Sequence, residues 1–220
     1  MTRRPTPSEL IWPDDSLDSE LPIAWAAMVT TQVLDWMWRA FDLLRANHLA
    51  RIDLTQPLEQ VERDLAGMHY VEIQRLFGAE TDGYATFVPV QEWSEMQTRS
   101  SASAKPPAYD FAFVCSDNQR WAWPLEAKVV SSPGALAEYL HDVNDKFVGG
   151  VAAPLVGEGA MIGYLLVSDT TTVFANIALR LNQRLESVAE FPGRAHRASR
   201  HSRTSAPDLR LHHLLMTCVD

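Results

Sequence analysis

Apolar positions follow two rhythms along this chain. From Ile23 to about Ala46 they return every three or four residues, through Met28, Val33, Leu34, Met37, Phe41 and Leu44, which predicts an amphipathic helix. A second helix is expected from Thr55, a capping residue type, with Pro57 in its first turn and Leu58, Val61, Leu65 and Met68 on its buried stripe. It extends through Ile73 and Leu76 unless Gly67 ends it. The rhythm then shortens. Tyr84 to Val90 is aromatic and β-branched, and Pro89 marks an edge or a strand end. Gln97 to Pro107 reads as a loop. Tyr109–Cys115 and Trp121–Val130, joined by Ser116-Asp117-Asn118-Gln119, predict a hairpin.

Beyond the hairpin, Ser132 and Pro133 open a predicted helix carrying Leu136, Tyr139, Leu140, Val143 and Phe147, and Gly149-Gly150 stops it. Met161 to Ser168 is nearly all apolar, as a strand buried on both faces would be. Asp169 or Thr170 then caps a helix with Val173, Ile177, Leu181, Leu185 and Val188 on one side, and Leu209 to Met216 forms a last strand. The expected architecture is mixed α/β around one central sheet. Residues 1–22 form an extended lead-in, 23–50 an N-terminal helix, and 51–220 a single domain that includes a basic loop at 193–207.

The hairpin can be read in register. With its turn centred on Asn118, Asp110 opposes Glu126 on one face of the sheet, and Lys128 projects from that same face. Phe111 and Phe113 then meet Leu125 and Trp123 on the other. Opposed carboxylates repel unless a cation lies between them. A slip of one residue would send the acids to different faces. Pro124, inside the second strand, calls for an edge position or a bulge.

Pro107-Ala108-Tyr109-Asp110, followed by Glu126-Ala127-Lys128 across a hairpin, resembles the motif of the PD-(D/E)XK, restriction-endonuclease-like nucleases. The resemblance spans roughly residues 55–168 and implies an αβββαβ core with an N-terminal helical extension and an added C-terminal helix and strand. It implies Mg2+ (or Mn2+) held by Asp110, Glu126 and the Ala127 carbonyl, with Lys128 positioning or activating a water for phosphodiester hydrolysis. DNA is the favoured substrate, and a prokaryotic defence or mobile-element setting is implied. Many members add a glutamate from the preceding helix. Glu62 is preferred here over Asp53, Glu59 and Glu72. An inactive subunit that keeps the fold and an RNA-cleaving toxin are the alternatives.

Composition narrows the partners. A net charge of −9 argues against indiscriminate nucleic-acid binding. The charge is unevenly placed, however: between Arg194 and His213 five arginines face one acid, Asp208, leaving +4 on that window. Arg194, Arg197, Arg200 and Arg203 are therefore candidate phosphate contacts. Lys146 is read as a surface charge in preference to a phosphate contact. His212 and His213, adjacent on a strand, face opposite sides. The tryptophans of the N-terminal segment read as core or as an interface with a second copy or a protein partner. Cys115 and Cys218 read as buried thiols, without a zinc spacing. No run long enough for a membrane span and no secretory signal is visible, so the expected location is the cytoplasm.

Overall fold

The first helix, α1 (Glu20–Asn47), turns Trp25, Val29, Val33, Trp36, Met37, Phe41 and Leu44 inward, so its tryptophans belong to the core. The structure is a computed structural model that describes residues 20–81, 85–95, 106–204 and 206–219. After α1 come α2 (Leu58–Glu80), β1 (Phe87–Ser94), β2 (Ala108–Cys115), β3 (Ala122–Val130) and α3 (Ala137–His141), which runs straight into a π-helical segment, Asp142–Val148. Then follow β4 (Glu158–Leu165), α4 (Thr170–Leu181), β5 (Glu186–Ser187), β6 (His196–His201) and β7 (Leu209–Thr217). The fold is mixed α/β. Its seven-stranded sheet has the order β1-β2-β3-β4-β7-β6-β5, with β4 parallel to both β3 and β7 and every other pairing antiparallel.

Helices α1 and α2 cover one face of the sheet, over Phe111, Phe113, Trp123, Leu125, Ile162 and Tyr164. Tyr139, Val143 and Phe147, with Val173 and Ile177 of α4, cover the other. The hairpin keeps the register expected from its turn: Phe111 pairs with Leu125 and Phe113 with Trp123. Pro124 needs no bulge. Its missing N–H lies on the side of β3 that faces β4, and pairing with β4 begins only at Leu125. Pro89 sits on β1, an edge strand, where an absent donor costs little.

Several boundaries move for local reasons. Thr55 does not cap α2, because Asp53 captures its N–H (3.0 Å) and its hydroxyl (2.6 Å) in a turn, and the helix begins at Leu58. Gly67 is passed over, and α2 continues to Glu80. The first strand starts at Phe87; Tyr84 and most of the expected 97–107 loop lie outside the described residues. Helix α4 stops at Leu181 because Asn182 adopts a left-handed conformation (φ 50°), which leaves Leu185 and Val188 beyond it.

The expected basic loop at 193–207 contains a strand, β6, inserted between β5 and β7. What hid it is that three of its four buried positions are polar, His196, Ser199 and His201, with Ala198 the fourth. The polar three are satisfied by hydrogen-bonded chains on the two faces of the sheet. On one face the Trp38 indole, which can only donate, gives to His196 Nδ1 (3.4 Å), so His196 Nε2–H gives to His212 Nδ1 (3.0 Å) and His212 Nε2–H to Glu158 (3.0 Å). On the other face Tyr139, His213, Ser199 and His201 are linked at 2.7–2.8 Å. His69, fully buried under α1, bridges Met37 O and the Tyr164 hydroxyl. Among the described residues no helix is long and apolar enough to cross a membrane.

These histidines give stability a definite pH dependence. Burial holds His196, His212 and His213 down to about 3 and His69 to about 4, so each stays neutral in the folded chain. Below pH ~6.5 the unfolded chain takes up protons that the folded chain does not, so stability falls with pH. Glu158 and Glu126, raised by burial to about 7 and about 8, act in the opposite sense but are outnumbered. The folded state is expected to lose roughly 2 kcal/mol between pH 6 and pH 5. Urea denaturation at the two values checks this; equal or greater stability at pH 5 would rule it out.

Candidate functional site

The two hairpin strands part company at Asp110. Ladder pairing ends at Phe111–Leu125, although the next N–H groups on that side of β3, those of Ala127 and Val129, still point toward β2. Carboxylates take them instead: Ala127 N–H donates to Asp110 Oδ2 (2.7 Å), and Val129 N–H to Glu62 Oε2 (3.3 Å). The gap opened by the splayed strands is thus lined by acids, and the Ala127 carbonyl, which shares the direction of its own N–H, faces it without a ladder partner.

Six charged side chains from three parts of the fold meet here. Lys128 Nζ lies 2.8 Å from Glu62 Oε1 and 3.5 Å from Asp142 Oδ2. Lys146 Nζ lies 2.8 Å from Glu126 Oε2 and 3.2 Å from Asp142 Oδ2. Glu126 is 1% exposed, and its Oε1 has no hydrogen-bond partner. Burial, reinforced by the Asp110 charge, pushes Glu126 up to about 8 against the pull of Lys146. Burial also raises Glu62. Lys128 is pulled down by burial, but Glu62, Asp110 and Asp142 outweigh that and raise it, so it stays an ammonium. The same balance, with Glu126 and Asp142 as partners, raises Lys146.

A buried carboxylate beside a second carboxylate, with one oxygen unpartnered, is a site short of positive charge. Among the described residues no three His, Cys, Asp or Glu side chains converge as a ready cage. Mg2+ needs less: one or two carboxylates, a carbonyl and waters suffice. Asp110, Glu126 and the Ala127 carbonyl match that donor set. Beside them a cleft of about 300 Å3, bounded by Glu59, Glu62, Arg63, Glu92 and Asp110, gives access from solvent. Glu92 adopts a left-handed conformation (φ 54°) in β1, at the position opposite Asp110.

The structure brings together Asp110, Glu126, Ala127, Lys128 and Glu62. It separates the other acids considered upstream. Glu72 is buried and turned to α1, bound by His48 (2.7 Å) and Asn47. Asp53 belongs to the turn before α2, and Glu59 lines the mouth of the cleft. His212 and His213 serve the buried chains described above. Lys146, expected at the surface, is instead paired inside the site, and Asp142, 4% exposed, was not anticipated there. A clue was present: Asp142 follows Tyr139 by three residues and precedes Lys146 by four, which places all three near one helix face.

Of the four arginines expected to contact phosphate, Arg194 and Arg197 border one cleft together with Arg184, whereas Arg200 and Arg203 lie elsewhere. Arg194 pairs with Asp42 and stacks over Trp38, while Arg197 donates to Ser187 and lies over Phe174. Arg200 is exposed near Glu186 (3.6 Å), on the face of β6 opposite to Arg197. Arg203 is buried and spends its donors on the carbonyls of Phe147, Ala152, Ala153, Val156 and Pro207. Comparison with protein-family models, with curated proteins and with solved structures gave no match.

Proposed function

We propose that this chain hydrolyses phosphodiester bonds in nucleic acid with a divalent cation, in the manner of the PD-(D/E)XK nucleases that its sequence resembles. One observation carries the reading: where β2 and β3 splay, Asp110, Glu126 and Lys128 meet, and Glu126 keeps a buried oxygen without a partner. The order α2, β1, β2, β3, α3, β4, with β3 and β4 parallel, suits the αβββαβ core implied by the resemblance.

Asp110, Glu126 and the Ala127 carbonyl would hold Mg2+ or Mn2+. When bound, such an ion lowers the pKa of its water and draws charge from the scissile phosphate. Lys128 has a separate task. Held by Glu62 and Asp142 and kept protonated, it is no general base at neutral pH; it is an ammonium fixed to stabilise negative charge developing on phosphorus-bound oxygens. Glu62 thereby orients the lysine and caps β3. The mouth of the cleft carries Glu59, Glu62, Glu92 and Asp110 against Arg63 alone, so a phosphate gains little from it without a bound cation. DNA is favoured as the substrate on the resemblance alone.

The test is cleavage of plasmid DNA, single-stranded DNA and RNA with Mg2+ or Mn2+, comparing the wild type with Lys128→Ala. Metal-dependent cleavage by the wild type that falls roughly a hundredfold or more in the variant, with an unchanged circular dichroism spectrum, is expected. The preferred polymer identifies the substrate. A wild type that neither cleaves any of these polymers nor binds the metal would refute the proposal.

A further inference from the structure

The carboxylates and lysines alternate as a connected chain: Glu62, Lys128, Asp142, Lys146, Glu126, with Asp110 beyond. With all four carboxylates ionised, as a bound cation would keep them, the two ammonium groups leave two negative charges, the complement of one divalent cation. A second such ion, with both lysines in place, would leave two positive charges in a largely buried cluster, which is costly.

The oxygens of Glu126 divide in the same way. Oε2 is bound by Lys146 at 2.8 Å, while Oε1 is buried and unpartnered. A cation can therefore approach Oε1 without displacing the lysine. Glu126 would then hold the cation through one oxygen and the ammonium through the other.

Lys146 is held in that place by the backbone. The π-helical segment Asp142–Val148 closes with Gly149 N–H donating to Asn144 O (2.8 Å), five residues back. A Cβ on Gly149 would lie 2.4 Å from Asp145 O, so no larger residue fits this ending. Just beyond it, Arg203 ties down the carbonyls of Phe147, Ala152, Ala153 and Val156.

We propose that the site takes a single divalent cation and that the Lys146 ammonium stands where a second would bind. The inference rests on the metal-dependent reading above and adds the number of ions and the task of a residue outside the motif. Lys146 is a positioning residue: it holds Glu126 Oε2 and leaves Oε1 to the cation.

Mn2+ titration of the full chain without substrate, by calorimetry and electron paramagnetic resonance, tests this. The wild type is expected to bind one ion per chain. Lys146→Ala is expected to bind two, with spin coupling between them and a first-site affinity raised roughly tenfold. Lys146→Gln, which keeps a hydrogen-bonding group near Glu126, is a second charge-free variant should the alanine protein fail to fold, and the same gain is expected. Lys146→Arg keeps the charge and is expected to remain at one. Two ions on the wild type, or one ion on folded charge-free variants, would overturn the inference while leaving the metal-dependent reading intact. No ion on the wild type would overturn both.

Discussion

Asp110→Asn is expected to lower metal-dependent cleavage roughly a thousandfold while leaving the fold in place. This carboxylate has two tasks. It accepts the Ala127 N–H (2.7 Å), which keeps β3 capped where β2 turns away, and it supplies charge to the gap. Asparagine keeps a side-chain oxygen for the first task and loses the charge needed for the second. Alanine would remove both and leave a buried N–H without an acceptor, which costs about 1–3 kcal/mol and confuses loss of chemistry with loss of structure. Single-turnover rates with Mn2+, beside melting curves, separate the two effects. Activity within about tenfold of wild type would show that Asp110 is not a metal ligand.

The largest effect on stability is expected at Arg203. Its guanidinium is buried against the carbonyls of Phe147, Ala152, Ala153, Val156 and Pro207, and burial holds it down to about 10, still charged at neutral pH. Arg203→Ala strands several buried acceptors and frees the loop between the π-helical segment and β4. A loss of about 4 kcal/mol is expected, since charged donors to carbonyls contribute more than neutral ones. Arg203→Lys presents one nitrogen where five carbonyls need a fork, so it recovers only part of this. Urea denaturation measures both; a loss under about 1 kcal/mol for the alanine variant would show that water replaces the clamp.

What the sequence made legible, and what it hid, follows from how far each feature is determined locally. The hairpin register could be counted from a four-residue turn, and with it the shared face of Asp110, Glu126 and Lys128. Glu62 borders the stripe of α2 beside Leu65, but the stripe alone does not choose it: Leu58 and Met68 on that stripe are exposed, and Glu72, nearer its centre, is bound by His48 and Asn47 instead. Lys146 escaped because a lysine beside an apolar stripe reads as a solvated charge until its buried partners, Glu126 and Asp142, are in view. Strand β6 escaped because its interior is built mostly from histidines and serine, whose burial depends on partners in α1, α3 and β7 far along the chain. Arg203 escaped for the same reason: a run of arginines looks like a surface for phosphates until the carbonyls that consume one of them are in view.

The parting of β2 and β3 also offers a way to watch this centre. The amide protons of Ala127 and Val129 are bonded to side-chain carboxylates, whereas their neighbours along β3 are bonded to backbone carbonyls. A change in the charge or coordination of Asp110 or Glu62 therefore reaches these two nuclei directly, while the rest of the strand serves as an internal reference. In a 15N-labelled sample their resonances would follow cation loading and ligand arrival one residue at a time, with no cleavable substrate present.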